Sequence, residues 1–316
     1  YKVQGKGALQ AKKIIDSGGR TMDNTGAENH CTILTISESP LKEGIIWVGT
    51  DDGQVQVTRD GGKSWANVTA NVKGWGVDDN WITRIEASHF VEGGVYMTIS
   101  RHQVADYKPY LYRSDDFGKT WVSIKGDLPA YGYLHTIRED LENRNLLFVG
   151  SEFGLFVSFD GGAHWLPYKG DFPTVAVRDI KIHPREHDLI IGTHGRGVWI
   201  IDDIKAWEKL NAETAKDEAA LMEVKPALLF STRGVAEGTA EFTGQNSPYG
   251  AAISYYLNPA VAKDGKVRLA IVDASGKEIA NPSATKEAGI NRVYWNLREV
   301  AGAGAAAMPM GAMAGM

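Results

Sequence analysis

Seven residues stand in four short turns where their types could do chemistry together. Asp51 and Asp52 lie in Thr50-Asp51-Asp52-Gly53, and His102 and Asp106 lie in Arg101-His102-Gln103-Val104-Ala105-Asp106. Glu152 lies in Ser151-Glu152-Phe153-Gly154, and His194 and Arg196 lie in Thr193-His194-Gly195-Arg196. Carboxylates, imidazoles and a guanidinium, with Trp75, Asp78, Asp79 and Tyr131 in neighbouring loops, form the mixture that suits a carbohydrate, peptide or metal. Two carboxylates facing each other across roughly 5 to 10 Å would serve glycoside hydrolysis, and Asp51 or Asp52 with Glu152 is the pair to consider. His102, Asp106 and His194 are the imidazole and carboxylate set of a divalent metal, but they lack any tight ligand spacing. Asp-Asp-Gly and His-Gly-Arg also make good turns without any ligand. The expectation is therefore a ligand-binding surface made of these seven residues, with no assignable catalytic set, no metal centre and no cofactor. No Gly-rich phosphate loop, Ser-His-Asp set or cysteine pair is present, which leaves nucleotide and thiol chemistry unsupported.

The elements that must position these turns are repeats. Thr58-Arg59-Asp60-Gly61-Gly62-Lys63-Ser64-Trp65, Ser114 to Trp121 and Ser158 to Trp165 share the pattern Ser/Thr-x-Asp-x-Gly-x-x-Trp. Ile200 to Trp207 is a degenerate fourth copy that keeps Asp202 and Trp207. This is the Asp-box, or BNR repeat. Its hydroxyl and carboxylate can satisfy backbone N–H groups, its Gly permits positive φ, and its Trp can pack between neighbouring units. That turn chemistry accounts for Asp60, Asp116 and Asp160, which are excluded from the site. Ile36, Ile85, Ile137 and Ile180 mark the first strand of each copy, and runs ending near Gly49, Ile99, Gly150 and Gly192 mark the second. The second copy carries about seven extra residues, within Arg101 to Pro109. Four antiparallel strands recurring every roughly 43 to 52 residues make a propeller blade. Loops then alternate faces, so the seven candidate residues fall opposite the Asp-boxes. Four blades seldom close such a ring, so upstream sequence or another chain is expected to complete it.

Glu38-Ser39-Pro40-Leu41, Trp47 to Gly53, Arg138-Glu139-Asp140 and Ile191 to Trp199 resemble the bacterial BNR-repeat, sortilin-like propeller proteins, often labelled glycosyl hydrolases. The resemblance runs from about residue 20 to Arg298. It implies closing blades of a propeller followed by an immunoglobulin-like module, in an exported protein, with no well-defined activity attached to the label. Sialidases, which resemble the chain in their Asp-boxes, set three arginines on a substrate carboxylate. Arg84, Arg138 and Arg178 stand early in three repeats but out of register, so that triad is not expected.

The fold class that follows is all-β: Asp-box β-propeller blades, four in this chain, followed by a small immunoglobulin-like β-sandwich. The divisions are an N-terminal segment or blade remnant (1–30), four blades (31–207), a partly helical linker (208–224), a sandwich (225–300) and a Gly/Ala/Met-rich tail (301–316). The 36 glycines, 9 tryptophans and 12 tyrosines of this 316-residue chain suit short strands and tight turns. A net charge of -5 offers no basic field, so nucleic acid is not an expected partner. No apolar run is long enough to span a membrane. Cys31, the one cysteine, is read as a small buried residue. Met308, Met310, Met313 and Met316 would suit Cu(I) through their thioethers, but the expectation is a flexible linker. The chain opens on Tyr1, and more polypeptide is expected upstream. The reading is a periplasmic or extracellular binding and scaffold module for protein or glycan partners, with a sialidase-like or xyloglucanase-like glycoside hydrolase as the alternative.

Overall fold

A computed structural model describes residues 32–75, 80–211, 213–229 and 248–299. Cys31, Asp78, Asp79, the N-terminal segment and the Met-rich tail lie outside the described residues. The chain divides into two compact units, Tyr1–Glu208 and Lys209–Met316.

In the first unit, antiparallel meanders follow one another along the chain. One joins β1 (Ile33–Glu38), β2 (Ile46–Thr50), β3 (Val55–Thr58) and β4 (Ala66–Asn67). The next joins β5 (Trp81–Ala87), β6 (Val95–Arg101), β7 (Asp106–Ser114) and β8 (Val122–Ser123). A third joins β9 (Leu134–Glu139), β10 (Leu147–Ser151), β11 (Gly154–Ser158) and β12 (Leu166–Pro167). The last holds β13 (Val177–Ile182), β14 (Leu189–Thr193) and β15 (Val198–Ile201). Helix α1 (Lys205–Lys209) follows where the degenerate repeat was expected to turn, and it carries Trp207.

Strand period explains how these sheets stack. Successive side chains leave a strand on opposite faces, so a strand buried on both faces reads as a continuous apolar run. In β6, Val95, Met97 and Ile99 pack with Trp47, Val55 and Val57 of the first sheet, while Tyr96 packs with Ile137, Leu147 and Val149 of the third. In β10 the roles alternate again, because Phe148 turns to Val177, Ile180 and Ile191 of the last sheet. The sheets thus stack face to face in series, the second and third covered on both faces, the arrangement of propeller blades. Gly49 and Gly150 permit the close approach. A Cβ on Gly49 would lie 2.4 Å from Ile82 Cγ2, and one on Gly150 would lie 2.5 Å from the Val177 carbonyl oxygen.

The second unit contains a three-stranded sheet, in which β17 (Ala251–Leu257) pairs with β16 (Ala219–Leu221) and β20 (Gly289–Trp295). A two-stranded sheet joins β18 (Ile271–Val272) to β19 (Glu278–Ala280) around the Asp273 turn, where Asp273 accepts the N–H groups of Ser275 and Lys277. The short helix α2 (Pro259–Asp264) follows β17, capped by Asn258. Ile253, Tyr255, Leu257 and Val293 form its core. Within the stretch expected to be a partly helical linker, a helical turn at Thr214–Lys216 precedes the strand Ala219–Leu221, which finds backbone partners along Tyr255–Leu257.

Candidate functional site

The two edges of the propeller sheets differ in how their polar groups are used. On the edge carrying the turns between the third and fourth strands, Thr58 Oγ1 donates to Asp60 Oδ1 (2.8 Å) and accepts from Gly62 N–H (2.9 Å). Asp60 accepts from Ser64 N–H (2.9 Å) and Ser64 Oγ (2.6 Å), and these bonds hold its carboxyl down at about 2. Ser114, Asp116 and Thr120 repeat the pattern, as do Ser158, Asp160 and His164. Gly61, Phe117 and Gly161 each donate a backbone N–H to the first turn of their own sheet, at Gly44, Gly93 and Asn145. Trp165 is buried and reaches Ile124 of the preceding sheet with its indole N–H (3.0 Å). Trp65 and Trp121 are half-buried and bond the Gly carbonyl of their own turn. Of the three rings expected to pack between neighbouring units, Trp165 alone is fully buried.

The opposite edge is built from the turns between the second and third strands of each sheet. Asp51, Glu152 and His194 occupy equivalent places, each donating its backbone N–H to the residue that leads into or precedes the first strand, at Thr32, Tyr133 and Ala176. The first strand of every sheet carries a register shift beside this edge, between Ile33 and Thr35, Ile82 and Arg84, Leu134 and Thr136, and Val177 and Asp179. The skipped residues are Leu34, Thr83, His135 and Arg178. A bulge re-aims the side chain it releases, and here it delivers His135 and Arg178 to the same place.

His135 Nε2 stands 2.8 Å from Glu152 Oε2, and Arg178 Nη1 stands 3.2 Å from His135 Nδ1. Arg178 Nη2 also lies 3.9 Å from Glu152 Oε2. Burial pushes His135 down to about 4, against the pull of Glu152, so near neutral pH the imidazole is uncharged. Its Nε2–H then donates to the carboxylate and its Nδ1 accepts from Arg178. Burial favours protonation of Glu152, but the bonds from His135 and Tyr133 outweigh it and hold the carboxyl below its ordinary value.

Aromatic rings extend from this triad. His102 stacks on Tyr133 (4.8 Å between ring centres, 17° between planes), with Ser100 Oγ 2.7 Å from its Nδ1. Burial lowers the pKa of His102. Tyr107 lies 5.3 Å from Tyr131, which stacks at 5.8 Å and 19° on Phe153. Tyr131 is 61% exposed, Phe153 46% and Tyr107 37%, so this is a row of apolar rings open to water. Gly132 supports it: its φ of 133° is glycine territory, and a Cβ there would lie 3.2 Å from the Phe153 ring. Beside the row, Asp106 accepts from Tyr110 Oη (2.7 Å), Lys108 N–H (3.3 Å) and Arg101 Nε (3.2 Å). Burial opposes ionisation of Asp106, yet these bonds hold its carboxyl below the ordinary range, while burial and Asp106 push Tyr110 up to about 12.

The sequence candidates therefore part company. His102, Asp106 and Glu152 flank one aromatic surface. Asp51 and Asp52 are buried within their turn, where Asp51 accepts from Thr32 N–H (2.9 Å) and Asp52 accepts from Thr50 Oγ1. His194 and Arg196 are exposed, and their backbones make the turn: Arg196 N–H donates to Thr193 Oγ1 (3.2 Å). Arg84 pairs with Asp179, Arg138 pairs with Glu86, and Arg178 serves the triad, so the three arginines have separate partners. Sequence reasoning missed His135, Tyr133, Tyr107 and Phe153 as site residues. The signal for Phe153 was its place in a turn where a sibling repeat has Asp.

No known family profile matches the chain. Over 117 residues it is 30% identical to the oligoxyloglucan-reducing end-specific xyloglucanase of Emericella nidulans, a match covering 35% of this chain and 13% of that protein. The chain thus aligns with a small part of that relative's length. Among solved structures, the GH74 xyloglucanase from Xanthomonas campestris is similar at TM-score 0.42 and 13% identity, over 79% of this chain and 38% of that one. A Niastella koreensis GH74 enzyme gives 0.43 and 14%, over 79% and 36%. YCF48 from Cyanidioschyzon merolae gives 0.39 and 16%, over 54% and 55%. All three scores lie below 0.5, and the propeller assignment rests on the sheets themselves. Among the described residues, no helix is long and apolar enough to cross a membrane.

Proposed function

We propose that the first unit is a glycan-binding segment of a xyloglucanase-like propeller, acting outside the cytoplasm. The observation that carries this reading is the exposed row Tyr107, Tyr131 and Phe153. Flat rings open to solvent match the C–H faces of sugars, and Glu152, Arg178 and Asp106 beside them supply acceptors and donors for hydroxyls. The identity shared with a xyloglucanase supports a β-glucan as the ligand and moves the weight from a general scaffold toward the hydrolase reading. The three turns with Asp60, Asp116 and Asp160 are Asp-boxes serving as staples of the blades.

Catalysis asks for two carboxyls held at opposite values, one protonated as an acid and one ionised. Asp106 and Glu152 are both held low, which suits a base or nucleophile and not an acid. The carboxyls that burial raises, Glu86, Asp140 and Glu208, are engaged elsewhere: Glu86 with Arg138, Asp140 in its own turn and Glu208 with His187. In this reading the described blades bind substrate, and the acid comes from blades outside them, in the same polypeptide or another chain that completes the ring. Titration of a xyloglucan oligosaccharide into the full chain, alongside a reducing-end assay, tests the proposal. Saturable binding without turnover, weakened about tenfold or more by Tyr131→Ala, is expected. Turnover abolished by Glu152→Gln would assign catalysis to these blades, and absence of binding to any β-glucan would sink the reading.

A further inference from the structure

A second polar cluster sits on the edge that carries the box turns. It gathers Glu142 from the β9–β10 turn, His187 from the β13–β14 turn and Glu208 from α1, one potential ligand atom of each lying within 4.8 Å of the others. The chain is shaped to bring them together. His187 adopts a left-handed φ of 56° and accepts Ile204 N–H on its carbonyl (2.7 Å), which seats the start of α1. Asn143 Nδ2 donates to the Glu208 carbonyl (2.9 Å), tying the helix to the other turn.

We propose that Glu142 and His187, with Glu208 positioning the imidazole, form a site for a divalent cation of the zinc class, distinct from the glycan surface. Glu208 Oε1 lies 2.6 Å from His187 Nδ1, a hydrogen bond that fixes the ring and leaves Nε2 with its lone pair. This is the carboxylate–histidine arrangement found behind metal-binding imidazoles. On the far side of the ring, Glu142 Oε1 stands 3.6 Å from Nε2. That is too long for a hydrogen bond, but it is close to the roughly 3.3 Å that separates two ligands on a tetrahedral zinc with bonds near 2.0–2.1 Å. An imidazole ligand selects this class over calcium or magnesium. The independent observation is unbalanced charge. Glu208 Oε2 and Asp140 Oδ2 are buried with no hydrogen-bond partner among the described residues, although the Glu208 side chain is 0% exposed. Asp140 Oδ1 is already committed to Glu142 N–H (2.9 Å) and Asn143 N–H (2.7 Å). Two buried carboxylate oxygens without partners carry a desolvation cost. A cation beside them offsets that penalty. Water completes the coordination on the half-exposed Glu142 side.

The test is calorimetric titration of zinc chloride into the full chain after chelator treatment. About one zinc per chain is expected, with affinity reduced tenfold or more by Glu142→Gln and by His187→Gln, and by roughly 10–100-fold in Glu208→Gln, which acts by positioning the ring. Glu142→Gln alters a half-exposed side chain, so it still reads the site if either buried variant loses its circular-dichroism spectrum. His164→Ala, which removes the exposed His164–Asp160 pair, should leave the stoichiometry unchanged. No saturable zinc binding, undiminished binding in Glu142→Gln, or calcium binding in place of zinc would each overturn the assignment.

Discussion

The two edges of the propeller sheets both hold carboxylates and direct them differently. Asp60, Asp116 and Asp160 turn inward on their own hairpins, each bonding a hydroxyl two residues back and an N–H four residues ahead. Glu152 instead reaches His135 across its own sheet and, through it, Arg178 of the next. The turns of Asp60, Asp116 and Asp160 are closed locally and serve stability, whereas the Glu152 cluster is assembled across sheets and leaves rings facing water. A motif rich in acid and hydroxyl can therefore be purely architectural. Function is better sought where partners come from distant segments.

Several substitutions sharpen this division, beginning with the largest effect. Trp165 joins two sheets, so Trp165→Ala should cost on the order of 3 to 5 kcal/mol by chemical denaturation. A loss below about 1 kcal/mol would mean that this ring does not hold the sheets together.

The second effect is a pH dependence. The folded value of His135, about 4, lies below the unfolded value of roughly 6.5, so the unfolded chain takes up the proton first. Stability contributed by the neutral ring is complete above about pH 6.5 and is lost as pH falls toward about 4, by up to roughly 3 kcal/mol. Glu152, held low, acts in the same sense further down. Denaturation midpoints at pH 7 and pH 4.5 should therefore converge in His135→Gln, and an undiminished difference in that variant would place the titrating group elsewhere.

Smaller effects distinguish the edges. Asp160→Ala removes a turn staple, and should lower stability by about 1 kcal/mol while leaving glycan affinity untouched. Tyr131→Ala should do the reverse, changing stability by less than about 0.5 kcal/mol and weakening binding. A shared response, in which both variants lose stability and affinity together, would dissolve the contrast.

This contrast also explains what could be read from sequence. The turns at Asp60, Asp116 and Asp160 were legible because every partner lies two to four residues away. The sheet order was legible because buried strands repeat a fixed grammar of apolar runs and turns. The triad was not, since Glu152 and His135 are 17 residues apart and His135 and Arg178 are 43 apart. Their convergence depends on bulges, and a register shift of one residue reverses the face of a side chain without changing composition. Asp51 and Asp52 look as reactive in sequence as Glu152, but the turn at Thr50 draws both inward. In the second unit, Ala219–Leu221 has weak strand character and pairs only because β17 offers an edge, a tertiary effect that local pattern does not carry.

The most direct test of the division is hydroxyl-radical footprinting of the full chain with and without a xyloglucan oligosaccharide, read by mass spectrometry at individual aromatic residues. Protection of Tyr107, Tyr131 and Phe153 is expected, with Trp65 and Trp121 on the other edge labelled equally in both samples. Protection of Trp65 or Trp121 while Tyr131 stays fully reactive would contradict the account.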